Sequence, residues 1–154
     1  MCDIVMGASV VADNGSHLIY GWDHEKRIVL ARRQTDDTEW WSRAPDVVIE
    51  DGATEFTVHY DQKRDMWLQT QMISSSGELA LRTAQQPQGP WSRPHVVFQP
   101  EEARRPEAFV YAGKAHPHLT GADLVLTYAS IAEADVTLAD DSLYFPRFVR
   151  LGLE

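Results

Sequence analysis

The run LALRTAQQPQGPWSRPHVV, residues 79–97, decides the reading of the fold, because much of it occurs twice. Its Trp91-Ser92-Arg93 repeats Trp41-Ser42-Arg43 at a spacing of 50 residues, and Leu79-Ala80-Leu81-Arg82 aligns at the same spacing with Val29-Leu30-Ala31-Arg32. Each Trp-Ser-Arg is followed, after a proline-containing gap, by paired valines, Val47-Val48 and Val96-Val97. A tripeptide can recur by chance, but two segments sharing one offset point to a repeated supersecondary unit.

Working outward, most apolar segments are short and rich in Val, Leu, Tyr, Trp and Thr, the composition of strands. Eleven are expected, from Asp3–Ala12 through Glu55–Tyr60 and Phe109–Gly113 to Phe145–Leu151. Between them lie Asp23-His24-Glu25-Lys26, Asp61-Gln62-Lys63-Arg64-Asp65 and Ser74-Ser75-Ser76-Gly77, residues that supply turn conformations and side-chain acceptors. The one helix-compatible stretch, Ile131–Asp141, lacks sustained apolar periodicity and reads as a loop. Each repeat then holds four strands, and units of roughly 40 to 50 residues with four strands are the period of propeller blades. The expectation is an all-β chain, a single partial β-propeller domain over 1–154, with blades at about 3–52, 53–103 and 107–154, the third lacking its outer strand. An antiparallel sandwich is the alternative.

Composition narrows the partners. The 154 residues carry 14 Lys+Arg against 23 Asp+Glu, a formal charge of -9, and the basic residues are scattered apart from Arg32-Arg33 and Arg104-Arg105. Nucleic-acid phosphates reward a clustered basic face, so nucleic acid is not an expected partner. No segment approaches the roughly 20 apolar residues of a membrane-spanning helix, and the first 20 residues lack a basic start followed by an apolar stretch, so no export signal is expected in them. The single cysteine, Cys2, cannot form a disulfide within the chain.

The first strand of each propeller blade lines the central channel, so its polar residues are the ones to weigh. In the second unit Glu55, Thr57, His59 and Asp61 alternate with Phe56, Val58 and Tyr60 and share one face. In the third they are Tyr111, Lys114 and His116. Glu55 is the candidate catalytic residue, a general acid for a glycosidic oxygen, although such hydrolysis ordinarily uses two carboxylates and the sequence identifies no second one. His59, Tyr111, His116 and Arg147 are candidate substrate-binding residues; for Arg147, alone among apolar neighbours, pairing with a buried carboxylate as a structural strut is the more frequent role. His116-Pro117-His118 aims two imidazoles at one point, but zinc needs further ligands, so no metal and no cofactor are expected. Trp41 and Trp91 occupy equivalent repeat positions and read as core between units, not as sugar platforms. There is no Gly-x-Ser-x-Gly elbow, phosphate-cradling loop or His-Glu-x-x-His.

The order Leu81-Arg82-Thr83-Ala84, Gly89-Pro90-Trp91-Ser92, Val110-Tyr111-Ala112-Gly113-Lys114-Ala115-His116-Pro117, Leu124-Val125-Leu126-Thr127-Tyr128 and Phe145-Pro146-Arg147-Phe148-Val149 resembles the C-terminal half of a bacterial family of five-bladed β-propellers related to glycoside hydrolases. That family was long known as a domain of unknown function, and some members are endo-D-arabinanases. The resemblance implies a carbohydrate-active protein, with a furanosidic arabinan-type polysaccharide as substrate at the channel mouth. The alternative is a non-catalytic or truncated fragment that binds carbohydrate, with a homodimer formed through open blade edges. Two departures bear on this. The family's proposed catalytic aspartates lie in N-terminal blades, near a Gly-Asp-Thr-type strand that this sequence lacks, and His118 stands where relatives often carry an acidic residue. Five blades of this period need roughly 300 residues, so an upstream extension and secretion of the longer relatives are expected.

Overall fold

Strand formation follows the alternation and the turns. The computed structural model describes residues 5–13, 16–34, 45–119 and 123–153. Among these, eleven strands form three antiparallel sheets, each a meander in chain order. Sheet 1 is β1 (Val5–Asp13), β2 (Ser16–Trp22), β3 (Ile28–Gln34) and β4 (Asp46–Ile49). Sheet 2 is β5 (Phe56–Asp61), β6 (Met66–Ile73), β7 (Glu78–Ala84) and β8 (His95–Phe98). Sheet 3 is β9 (Phe109–Ala115), β10 (Leu124–Ile131) and β11 (Arg147–Leu151). Contrary to the loop expected over Ile131–Asp141, a one-and-a-half-turn helix α1 (Ala134–Ala139) forms there, followed by a 3-10 turn at Asp141–Leu143. The helix buries no residue, which is why no apolar periodicity announced it. No helix among the described residues is long and apolar enough to cross a membrane.

The hairpin turns are closed by aspartates. Asp23 Oδ1 accepts hydrogen bonds from the Glu25 and Arg27 amides, each at 3.0 Å, and Asp61 Oδ1 accepts from the Lys63 amide at 2.9 Å. These side chains copy the backbone bonds of a turn and satisfy donors that the strands leave open. At the β6–β7 turn Gly77 has φ of 66° and its amide reaches the Ile73 carbonyl at 2.8 Å, a backbone position that a residue with a Cβ adopts only with strain.

Sheet 2 lies between the other two, and the period of two along its strands divides its side chains between two cores. Phe56, Val58 and Trp67 pack with Leu18, Tyr20 and Ile28 of sheet 1. Leu68, Met72 and Leu79 pack with Val110, Leu124 and Leu126 of sheet 3. With both faces covered, β6 is buried along nearly its whole length, and each such aliphatic side chain contributes about 1.5–3 kcal/mol by leaving water. Tyr20 ties the first core together, its hydroxyl donating to the Pro87 carbonyl at 2.6 Å.

The repeated motif has a local cause. In the second copy the Ser92 amide donates to the Thr83 carbonyl at 2.9 Å, and Ser92 Oγ accepts from the Thr83 amide at 3.0 Å. Arg82 donates to the Ser92 carbonyl at 3.2 Å and pairs with Asp51 at 2.7 Å. The two sequence segments that share the 50-residue offset thus contact one another, and Trp91 packs against the first core. Residues 41–43 of the first copy lie outside the described residues.

First strands meet where the sheets meet. β1 runs beside β5, and β9 packs on β5 and β6. The Thr57 hydroxyl accepts from the Ala115 amide at 2.9 Å, which fixes β9 against β5. Gly113 allows this approach: a Cβ on it would stand 2.8 Å from the Met72 nitrogen of β6.

Candidate functional site

The face of β5 that carries Thr57, His59 and Asp61 turns toward sheet 3, since Phe56 and Val58 are committed to the first core. Glu55 stands just before the strand, and its carboxylate lies 3.9 Å from Lys114 Nζ at the end of β9. Both side chains are substantially exposed. The pair therefore sits where two first strands cross, open to solvent, and offers an acceptor and a donor together.

Farther along β5 a cleft of about 500 Å3 opens between the β5–β6 turn and Pro117, His118, Leu119 and Asp123. His59, Asp61 and Lys63 form one wall and His118, Leu119 and Asp123 the other. His59 Nδ1 is buried and has no hydrogen-bond partner among the described residues. Burial pushes the His59 pKa down, with the charge of Asp61 opposing it, so the ring is neutral at pH 7. Burial of Asp61 disfavours its charge, but hydrogen bonds from the Arg64 side chain and amide and the Lys63 amide outweigh this and hold the carboxyl below the usual range. Arg64 spans the structure here, pairing with Asp61 at 2.7 Å and donating to the Leu153 carbonyl.

The other expected residues are placed as follows. His116 Nε2 is 2.7 Å from Thr127 Oγ1, and its ring meets that of His118 edge-on at 5.7 Å. Burial lowers the His116 pKa, and the neighbouring His118 and Lys114 lower it further. Tyr111 stacks on Phe109 at 5.9 Å; Val110 between them enters the second core, so both rings face away from sheet 2. Arg147 stands apart from β5 and β9. It lies on β11, two strands or about 10 Å across sheet 3 from β9, where its Nε is 3.4 Å from Glu102 and its guanidinium donates to the Ser142 carbonyl at 3.2 Å. Glu102 also accepts from the Tyr128 hydroxyl at 2.9 Å, and burial together with this carboxylate drives the Tyr128 pKa up. Glu55 and His59 are likewise separate, about 13 Å apart along the strand. The structure sets Glu55 near Lys114 and lines one cleft with His59 and His118, and leaves Arg147 linking Glu102 and Ser142 to β11. Among the described residues no three His, Cys, Asp or Glu side chains cluster as a metal site.

What the sequence reading missed is a buried polar layer facing sheet 1. Gln69 is fully buried and donates to Gln71 at 3.0 Å, Gln71 donates to the Asp51 carbonyl at 2.9 Å, and Gln69 is paired in register with buried Arg82. In the sequence Trp67, Gln69 and Gln71 simply alternate with Leu68, Thr70 and Met72, and the strand has no exposed face only because sheets 1 and 3 cover it.

The two histidines make stability depend on pH. Their folded pKa values lie below the unfolded value of about 6.5, so the unfolded chain binds more protons as pH falls through that value. Stability is full above it and is lost as pH drops toward the lowered folded values. Melting temperature is expected to fall from pH 7.5 to pH 5.5, and His59→Gln to flatten that fall; an unchanged slope would contradict the burial of His59.

Comparison with solved structures places this arrangement in a class. A protein from Bacteroides ovatus ATCC 8483, provisionally named a hydrolase, matches 92% of this chain at a TM-score of 0.67 and 17% identity. The exo-beta-1,3-galactanase of Phanerochaete chrysosporium, solved with galactose, matches 84% at a TM-score of 0.57 and 18% identity. Its E208A variant, solved with beta-1,3-galactotriose, matches 84% at 0.56 and 16%. At these identities the likeness is one of fold, and it defines an all-β protein built from antiparallel sheets as in a hydrolase-like protein and a galactanase. The chain spans 43% of the length of the first of these and 33% of the second. The profile of the family described as Domain of unknown function (DUF4185) matches residues 21–140, and the chain belongs to that family. No curated protein matches the sequence.

Proposed function

We propose that the chain is part of a carbohydrate-active β-propeller of glycoside-hydrolase type. Its three sheets are blades, at about 3–52, 53–103 and 107–154, and their first strands line the channel. The observation that carries this reading is the crossing of β5 and β9, which sets Glu55 against Lys114 in a fold shared with an exo-beta-1,3-galactanase. A carboxylate near an ammonium, both open to solvent, suits the hydroxyl groups of a sugar, which donate and accept at once. The sequence resemblance favours a furanosidic arabinan as substrate; the likeness to an exo-beta-1,3-galactanase would favour a β-1,3-galactan.

The test is to incubate the chain with each polymer and measure both reducing ends and retention on the immobilised polysaccharide. Release of reducing ends from arabinan is the expected result. Retention without release supports the alternative, a non-catalytic binding fragment, which is favoured by the lack of a second carboxylate recorded beside Glu55 and Lys114 among the described residues. Neither release nor retention on either polymer overturns the carbohydrate reading.

A second reading, self-association, is favoured by sheet 3. Phe109, Ile131 and Phe148 are exposed, and the register pairs Phe109 with Ile131 and Phe148 with Thr127 on the face turned away from sheet 2. Exposed apolar faces of this kind mark contact surfaces. Sedimentation is expected to give the mass of two chains, and Phe148→Ser to shift it toward one. A mass of one chain for the wild type discards this reading.

A further inference from the structure

We propose that the cleft at the far end of β5 is a second carbohydrate-contact site, separate from the exposed Glu55–Lys114 pair, that takes a short uncharged oligosaccharide. For its ligand class this rests on the carbohydrate reading above; its position does not.

The cleft is a formed hollow of a size common for ligand sites. Its walls are held: Asp61 closes the β5–β6 turn, and Arg64 fastens that turn to Leu153 near the end of the chain. Asp61 and Arg64 neutralise each other and are spent in this way. Three groups on the walls remain without a hydrogen bond or ion pair among the described residues: His59 Nδ1, the Lys63 ammonium and the Asp123 carboxylate. A buried ring nitrogen without a partner costs stability that a bound hydroxyl would recover. The three groups differ in kind. Lys63 only donates, Asp123 only accepts, and the Nδ1 nitrogen of a neutral imidazole donates or accepts according to the tautomer. An anion would be repelled by Asp123 and a cation by Lys63, whereas vicinal hydroxyls can answer all three. Pro117 and Leu119, both exposed, add the apolar wall that the C–H face of a sugar ring requires. His118 also lines the cleft, and Lys63 and Arg64 balance Asp61 and Asp123 in its walls.

The separation of about 13 Å from Glu55 to His59 allows the two sites to be distinguished. The experiment is an NMR titration of the wild-type chain with an arabinofuranosyl tetrasaccharide and with beta-1,3-galactotriose, following backbone amides and histidine ring signals. Expected are shifts of His59, His118 and Asp123 that persist in Glu55→Gln. Asp123→Asn, a change at the cleft rim that leaves both cores untouched, is expected to weaken the cleft affinity about tenfold while leaving any shifts at Glu55 and Lys114 in place. Shifts confined to Glu55, Lys114 and their neighbours overturn this site and leave the carbohydrate reading standing. An absence of shifts anywhere overturns both. Cleft shifts caused by inorganic phosphate but not by either sugar overturn the ligand class.

Discussion

Gly113→Val is expected to lower stability by about 3 kcal/mol, near the upper end of the usual cost of overpacking a core. The backbone of Gly113 is not in the left-handed region, so the effect is one of space. A Cβ there would meet Leu79 Cδ2 at 2.7 Å, the Met72 nitrogen at 2.8 Å and the Gln71 carbonyl carbon at 3.1 Å. Leu79 is fully buried and its methyl has nowhere to retreat. The β6 backbone cannot retreat either, because the first core lies behind it. Strand β9 must therefore lift off β6, carrying Val110 and Ala115 out of the second core and stretching the bond from the Ala115 amide to Thr57. In a chain of this size the loss corresponds to a fall in melting temperature of about 6–12 °C. Urea unfolding measures it directly. Trimming Leu79 to Ala in the same chain should not rescue it, since the Met72 nitrogen still blocks the site. A melting curve matching the wild type would show that β9 does not pack on β6 as described.

Glu55→Gln is expected to reduce turnover of an arabinofuranosyl polymer at least about a hundredfold, the lower range for loss of a general acid or base. The amide keeps the shape of the side chain but cannot deliver a proton to a leaving oxygen. Stability should not change measurably. Glu55 is outside β5, is well exposed, and its described ion pair is a single long contact of 3.9 Å, the kind that contributes little. Lys114→Met serves as the companion variant: it removes the facing donor without touching the carboxylate, and a raised KM with kcat retained would assign Lys114 to substrate binding. Turnover by Glu55→Gln equal to that of the wild type would remove Glu55 from the chemistry.

Much of the strand pattern could be read from the residues. The expected boundaries fall within a few positions of the observed ones, as for His95–Phe98, and the aspartate-rich turns close the hairpins they were expected to close. Helix α1 was not legible, because it is held by polar contacts such as the Ala132 amide donating to Thr137 Oγ1 and by no buried side chain. The candidate residues were only partly legible. Alternation correctly put Thr57, His59 and Asp61 on one face, but nothing local showed that Arg147 faces Glu102, that His116 faces Thr127, or that Lys114 comes to Glu55. The buried Gln69, Gln71 and Arg82 looked like ordinary polar positions of a half-exposed strand until sheet 1 was seen to cover them.

The residues alone determined an all-β chain, its strand order, its turns and the repeat that couples Arg82 to Ser92. These depend on alternation, turn conformation and hydrogen bonds closed within about a dozen positions, so they are written in short segments. Only the tertiary structure decided which face of each sheet is covered and which polar groups share a groove. Those outcomes turn on contacts such as Tyr20 with Pro87 and Thr57 with Ala115. They join residues far apart in the chain, and their geometry is fixed by the stacking of whole sheets; no local pattern encodes it.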